Sequence, residues 1–254
     1  MNVFTICRKE LSSYFRSPIA YGVIAFFALV TGFFFYAGVM SYLAQVLRMS
    51  MGGQAAPLSV DDFVVRNVLG NTAVVGLFLI PMITMRLFAE EKRSGTIELL
   101  VTSPITDLEI IIGKWLAALV LYMVMLGMTL LNLMWLFAYG KPDWRPLSVG
   151  YLGLVLMGGS LLSIGTFVST WTKNQIVAGV AGFGICLMLW VLEWTSSFSS
   201  SVGGRVAAYC SVLSHFDSFS RGVLDSKDII FYLSMILFGL FLTARSMESM
   251  RWRA

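Results

Sequence analysis

Long apolar stretches without a charged residue constrain this chain more than any other feature. From Ile19 to Leu47 no Asp, Glu, Lys or Arg interrupts the run. A helix of about 20 apolar residues crosses the hydrocarbon layer of a bilayer, and this stretch exceeds that length. Five further runs recur along the chain: about Asn67 to Met85 with Pro81 near its end, Leu108 to Tyr139, Leu147 to Trp171, Gln175 to Leu192, and Ile229 to Ala244. None carries Asp, Glu, Lys or Arg in its central portion. With 57% hydrophobic and 13% charged residues among 254, the chain lacks the polar surface that a water-soluble domain needs to cover one core. The pattern predicts an all-α integral membrane protein with six transmembrane helices. A single domain over 1–254 is expected, because no stretch is large enough to stand alone as a soluble unit.

The N-terminus adds an amphipathic element. Phe4, Cys7, Leu11, Tyr14 and Phe15 recur at helical spacing, while Thr5, Arg8, Lys9, Ser12 and Arg16 occupy the other side. Pro18 then breaks the helix. A basic amphipathic helix directly before a span suits the membrane interface, so 1–17 is predicted to lie flat against lipid, with Arg8, Lys9 and Arg16 on its polar face. The apolar run that follows is longer than the core of a signal peptide and reads as an uncleaved anchor.

Charge sets the expected orientation. With a cytoplasmic N-terminus, the cytoplasmic side holds Arg8, Lys9, Arg16, Arg86, Lys92, Arg93, Lys114, Lys173, Arg245, Arg251 and Arg253. The other side holds Arg48, Arg66, Lys141, Arg145, Arg205, Arg221 and Lys227. Eleven against seven is the direction of the positive-inside rule. Six spans then leave both termini in the cytoplasm, where Arg251-Trp252-Arg253 suits the interface. The net charge of +4 follows from these cationic segments at the membrane surface and does not call for nucleic acid. Two outer connections are long. Residues 44–66 contain Gly52-Gly53 and Pro57 and are expected to be partly irregular. Residues 193–228 begin Ser-rich and turn amphipathic through Val202 to Leu213, where a short helix or a re-entrant hairpin fits.

Little in the sequence points to bond-making chemistry. No phosphate-binding loop occurs, since Gly113-Lys114-Trp115 and Gly140-Lys141-Pro142 lack its context. ATP hydrolysis would have to come from a partner. Gly158-Gly159-Ser160 resembles half of a nucleophile motif, but Leu161 stands where a second Gly is needed, and the one histidine, His215, lies outside the predicted spans. These glycines, with Ala178, Gly179, Gly182 and Gly184, read as close helix packing. Cys7, Cys186 and Cys210 show neither metal-ligand nor redox spacing. No catalytic residue, metal site or cofactor is assigned. The spans offer aromatic and Met-rich walls, Phe33 to Tyr36 and Met123 to Trp135 among them, rather than buried charge, which suits amphipathic or lipid-linked cargo better than a small ion.

The connection between the second and third spans is the most charged stretch. It runs Arg86-Leu87-Phe88-Ala89-Glu90-Glu91-Lys92-Arg93-Ser94-Gly95-Thr96-Ile97-Glu98-Leu99-Leu100-Val101-Thr102-Ser103-Pro104. Gly95 can break one helix, and Ser94 or Gly95 can cap another, so a short helix is expected over Thr96 to Val101, ended by Pro104. Thr106 with Glu109 forms a capping box for the third span, helped by Asp107.

This string resembles the permease subunits of type-2 ABC transporters, whose pattern is approximately R-x-[FI]-[AS]-E-E-[KR]-[KR]-x-G-T-x-E-x-L-L-[TS]-x-P followed by Gly-Lys, here Gly113-Lys114. Within that family it is similar to gliding-motility-associated permeases and those of nitrous-oxide-reductase maturation. The resemblance implies a subunit of an ATP-driven transporter, usually an exporter, in the bacterial cytoplasmic (inner) membrane. It also implies a second permease half, identical or related, and a separate ABC ATPase subunit. Segment 86–105 would be the cytoplasmic coupling helix that the ATPase grips, with Arg86, Glu90, Glu91, Lys92, Arg93, Gly95, Thr96 and Glu98 as contacts. The N-terminal helix would be the family's elbow helix. A non-transporting membrane scaffold, or a complex that transmits force to envelope or gliding machinery, stays open as the alternative.

Overall fold

Pro18 and Gly95 divide the polar parts of the chain from the apolar ones, and the fold follows those divisions. A computed structural model of the protein describes residues 2–51, 61–97, 105–139, 142–198, 203, 206 and 209–251. Helix α1 spans Asn2–Arg16 and α2 spans Pro18–Met51, with Ser17 between them. Pro18 takes the first position of α2, where its missing N–H costs nothing and its fixed φ suits a helix start. A π-helical turn, Asp61–Val65, leads into α3, Arg66–Thr84. Then come the short α4 (Ala89–Ser94), α5 (Asp107–Tyr139), α6 (Trp144–Ser169), α7 (Gln175–Phe198), α8 (Val212–Ser220) and α9 (Ser226–Arg251).

The described residues are almost all helical and contain no strand. Six helices, α2, α3, α5, α6, α7 and α9, have the length and composition to cross a membrane. The protein is an all-α integral membrane protein. Helix ends depart from expectation in both directions: α3 and α6 stop slightly short, at Thr84 and Ser169, while α2, α7 and α9 run past their apolar runs. The outer connection was expected to begin at residue 44, so that the first span would end near Leu43, but α2 continues to Met51. Ala44, Gln45, Leu47, Arg48 and Met49 are good helix formers, and no Gly or Pro stands between Gly38 and Gly52. The irregular part of 44–66 expected around Gly52-Gly53 and Pro57 lies outside the described residues, as do Lys141, Arg205 and the tail Trp252-Arg253. In the 193–228 connection α8 forms over Val212–Ser220; of the stretch from Val202 to Leu213 expected to carry a short helix, several residues lie outside the described residues, and Gly203, Val206 and Tyr209 are helical.

Helix α6 is the hub: it touches α3, α5, α7, α8 and α9. Small residues make this possible. A Cβ on Gly158 would sit 2.1 Å from Tyr122 Cε1 on α5, and one on Gly165 would sit 2.3 Å from Thr84 Oγ1 on α3. On α9, Gly239 lies as close to Ser163, where a Cβ would be 2.5 Å from Oγ. In a bilayer the solvent around a helix is as apolar as its side chains, so close van der Waals contact carries association. Gly179 and Gly182 of α7 meet Met85 and Pro81, as the packing reading expects, whereas a Cβ on Gly184 would meet nothing within 4 Å among the described residues. Helices α2, α7 and α9 remain largely open at the periphery, showing Phe26, Leu29, Phe33, Val180, Met188, Leu237 and Phe238.

The spans alternate in direction. The connector, α1, the start of α5 and the ends of α6 and α9 gather at one end of the bundle, called here the connector end. The start of α3, α8 and the start of α9 gather at the far end.

Candidate functional site

The connector end is built around one lysine. Lys114 lies two turns into α5 and its side chain is 1% exposed. An ammonium in such a place needs partners, because desolvation of a bare charge costs several kcal/mol or more, on the order of 20 in the idealised limit. Two carboxylates supply them. Glu10 of α1 reaches Lys114 Nζ at 3.0 Å and Glu91 of α4 at 2.9 Å. The ring of Phe88, fully buried, lies 5.3 Å from the same nitrogen. One cation therefore ties α1, α4 and α5 together.

Around it, polar groups lock the connector to neighbouring helices. Helix α4 has no capping side chain of its own. Instead Ser169, the last residue of α6, accepts from the N–H groups of Phe88 at 3.1 Å and Ala89 at 3.2 Å, and donates to the Met85 carbonyl at 3.2 Å. The Lys92 ammonium donates to the Thr170 carbonyl, and Thr170 shares a 2.7 Å hydrogen bond with Ser246 of α9. Arg86 donates from Nε to Glu90 at 2.9 Å and from a terminal nitrogen to Ser17 at 3.4 Å. Acidic Glu90 and Glu91 open α4, and basic Lys92 and Arg93 close it, the arrangement that the helix dipole favours. Gly95 ends it at φ +74°, a left-handed turn that a side chain rarely adopts.

Helix α1 is seated on α5 through Ile6, where a Cβ on Gly113 would lie 2.8 Å away. The buried Tyr14 hydroxyl donates to the Ile83 carbonyl of α3 at 3.1 Å. Burial, with the charge of Glu10 added, pushes that hydroxyl above its ordinary range and keeps it a donor. Arg8, Lys9 and Arg16 stay exposed and, with Thr5 and Ser12, line an open groove. Phe4 is exposed on the flank of the helix.

The eight connector positions named from the sequence fall into three groups. Glu90, Arg93, Gly95 and Thr96 are exposed at the connector end. Arg86, Glu91 and Lys92 turn inward to Glu90 and Ser17, to Lys114, and to Thr170. Glu98 lies outside the described residues, as does most of the helix expected over Thr96 to Val101. The helix that is described precedes Gly95. Glu10 and Ser169 belong to the network although sequence reasoning passed over them. Lys114 was noted only as a cation near the membrane and within the Gly-Lys pair. The capping box is present: Thr106 N–H donates to Glu109 at 3.1 Å, and Glu109 N–H to Thr106 Oγ1 at 3.4 Å.

Elsewhere, the hydroxyl of Ser160 is fully buried and bonded to the Met157 carbonyl. His215 sits at the far end with Nδ1 2.7 Å from Asp228 and Nε2 2.8 Å from the Tyr209 carbonyl, stacked on Phe231. Each ring nitrogen is engaged, and the pair joins α8 to α9. This agrees with a structural role for both residues. Among the described residues the three cysteines are free, and no group of His, Cys, Asp and Glu is placed to hold a metal.

Comparison with known proteins agrees with this architecture. A family model described as ABC-2 family transporter protein matches residues 4–199. Two curated relatives, both named "Probable multidrug ABC transporter permease YbhR", one from Escherichia coli strain K12 and one from Escherichia coli O157:H7, are each 28% identical over 121 residues. That stretch is 48% of this chain but 32% of each relative, so the chain matches about a third of their length. Six membrane-crossing helices, a charged connector clamped under them and a family match over most of the chain lead to one conclusion: the chain is a multi-pass permease that belongs to the ABC-2 transporter family.

Proposed function

We propose that the chain is one membrane-spanning half of an ATP-driven ABC exporter in the bacterial cytoplasmic membrane, with both termini on the cytoplasmic side. A separate ABC ATPase subunit docks at the connector end, and a second permease half, identical or related, completes the pathway. The chain acts as a single transmembrane domain over 1–254, with α1 as the interfacial elbow, and binds no nucleotide itself. The relatives' name mentions multidrug transport, and the apolar, aromatic surfaces of the spans suit amphipathic cargo.

One observation carries this reading. Helix α4 exposes Glu90 and Arg93 on its outer side while its inner side is fixed to α1, α5 and α6 through Lys114 and Ser169. A push on the exposed side is thereby delivered to three helices at once. A transport cycle requires ATP-bound and ATP-free states to favour different helix arrangements, and a small element bonded to several spans can bias that choice.

The test is reconstitution of the chain with its ATPase in proteoliposomes. ATP-dependent movement of an amphipathic dye, with hydrolysis above that of the isolated ATPase, is the expected result. Hydrolysis that the chain stimulates without movement of any cargo would favour a scaffold or force-transmitting complex. Failure of any ATPase to associate would defeat the coupling reading.

A further inference from the structure

At the far end, away from the connector, a cavity of about 450 Å³ opens between α3, α7 and α8. That is within the size range of small-ligand sites. One stripe of α3 faces it: Asn67, Gly70, Asn71 and Val74, spaced at three and four residues. Among the described residues nothing lies within 4 Å of a Cβ built on Gly70. The Asn67 amide donates to the Phe63 carbonyl at 2.7 Å, which leaves its Oδ1 and the Asn71 carboxamide as polar groups of a membrane-crossing helix on the wall of this recess, costly there unless something polar visits them.

The charges around this recess are of both signs and are spatially arranged. Arg66, at the start of α3, donates to Asp217 Oδ1 at 2.7 Å, and Arg221 donates to Asp217 Oδ2 at 2.6 Å. Two guanidiniums share one carboxylate, so this group carries a net positive charge. All three side chains are between 42% and 57% exposed, and each guanidinium keeps further N–H donors. From α7, Glu193 contributes a carboxylate to the lining. Leu213 and the buried Phe216 make an apolar part of the wall.

We infer that this recess binds the head group of a zwitterionic amphiphile, of the kind a phosphatidylethanolamine or phosphatidylcholine presents. The phosphate lies against Arg66, whose forked donors match its oxygens, while Arg221, bonded to the other oxygen of Asp217, offsets that carboxylate's charge. The ammonium lies toward Glu193 and the Asn67 and Asn71 carbonyls, and the first methylenes of the tail run along Leu213 and Phe216. A purely anionic head leaves Glu193 facing like charge. A purely cationic head meets the arginines. This goes beyond the ATPase-coupling reading and does not rest on it, because binding at the far end needs no ATPase.

The experiment titrates the purified chain, without ATPase, with four probes and reads occupancy by native mass spectrometry. The probes are dihexanoyl phosphatidylcholine, dihexanoyl phosphatidylglycerol, dodecyltrimethylammonium and free phosphocholine. The zwitterionic lipid is expected to bind saturably, and about tenfold more tightly than the other two amphiphiles. Free phosphocholine binds comparably if the head alone is the ligand, and much more weakly if the lipid is. Gly70→Trp, which puts an indole at a position whose Cβ has open space, is expected to weaken lipid binding by about tenfold or more, while Gly70→Ala leaves it unchanged. Asn67→Trp provides a second block, with thermal unfolding of each variant as the folding control. Arg66→Gln should erase the preference over the cationic amphiphile, and Glu193→Gln the preference over the anionic one. Undiminished binding in well-folded Gly70→Trp and Asn67→Trp, or equal affinity of the native chain for all three amphiphiles, overturns the inference.

Discussion

Lys114 shows how much a single charge can organise in a membrane protein. Its two carboxylate partners are on different helices, and its side chain is out of water. Replacing one member of a buried ionic group leaves the others uncompensated, at a cost of about 3 kcal/mol or more. Lys114→Met is therefore expected to lower the thermal midpoint of the purified protein by several degrees, because Glu10 and Glu91 then face each other without a cation. Glu10→Gln and Glu91→Gln added to Lys114→Met should recover most of the loss, as a neutral group of similar shape removes the repulsion. Thermal unfolding followed by circular dichroism reads both effects. Cys7 probes the same neighbourhood. Burial, reinforced by the charge of Glu10, raises its thiol above its ordinary value. In a Cys210→Ser background, maleimide labelling of Cys7 should be slow at neutral pH and accelerate only well into the alkaline range. Glu10→Gln lowers the thiol toward its ordinary value and should quicken labelling at a fixed alkaline pH.

Elements were legible to different degrees, for physical reasons. The six spans could be read because each is a continuous apolar run, and hydropathy is a property of the segment itself. Their ends were less legible, since α2 overruns the apolar stretch on helix propensity alone. The Thr106 to Glu109 capping box could also be read, because all its atoms lie within one turn. The capping of α4 could not. Its cap is Ser169, about eighty residues along the chain, and nothing local marks that serine. Ser169→Ala removes the acceptor for two N–H groups, costs about 1 kcal/mol, and should speed amide hydrogen exchange at Phe88 and Ala89 by about fivefold or more. Close packing is the other element-scale feature. Gly158 lets α6 approach Tyr122 on α5, so Gly158→Leu forces the helices apart. A loss of about 1–3 kcal/mol is expected from overpacking, read as a lower thermal midpoint and faster proteolysis of the detergent-solubilised protein.

At the scale of the whole molecule, the two ends of the bundle are chemically distinct. The connector end gathers α1, α4 and the ends of α6 and α9 around a buried lysine, with Glu90, Arg93, Arg8, Lys9 and Arg16 turned outward. The far end holds the His215 and Asp228 pair and the mixed-charge recess. The connector string stood out in the sequence because its pattern is local. It did not separate the inward residues Glu91 and Lys92 from the outward residues Glu90 and Arg93. That distinction depends on Lys114 and Thr170, which approach only when the bundle is assembled. In the proposed coupling, outward charges meet the ATPase and inward charges pass its motion on. The decisive measurement is the affinity of the ATPase subunit for the chain in nanodiscs, native against Glu90→Lys/Arg93→Glu. These two residues are exposed, and the ion pair of Glu90 with Arg86 is of the kind worth about 1 kcal/mol or less, so folding should be preserved. Coupling through α4 requires binding to weaken by about tenfold or more at an unchanged thermal midpoint; unchanged affinity in the folded double variant would contradict it.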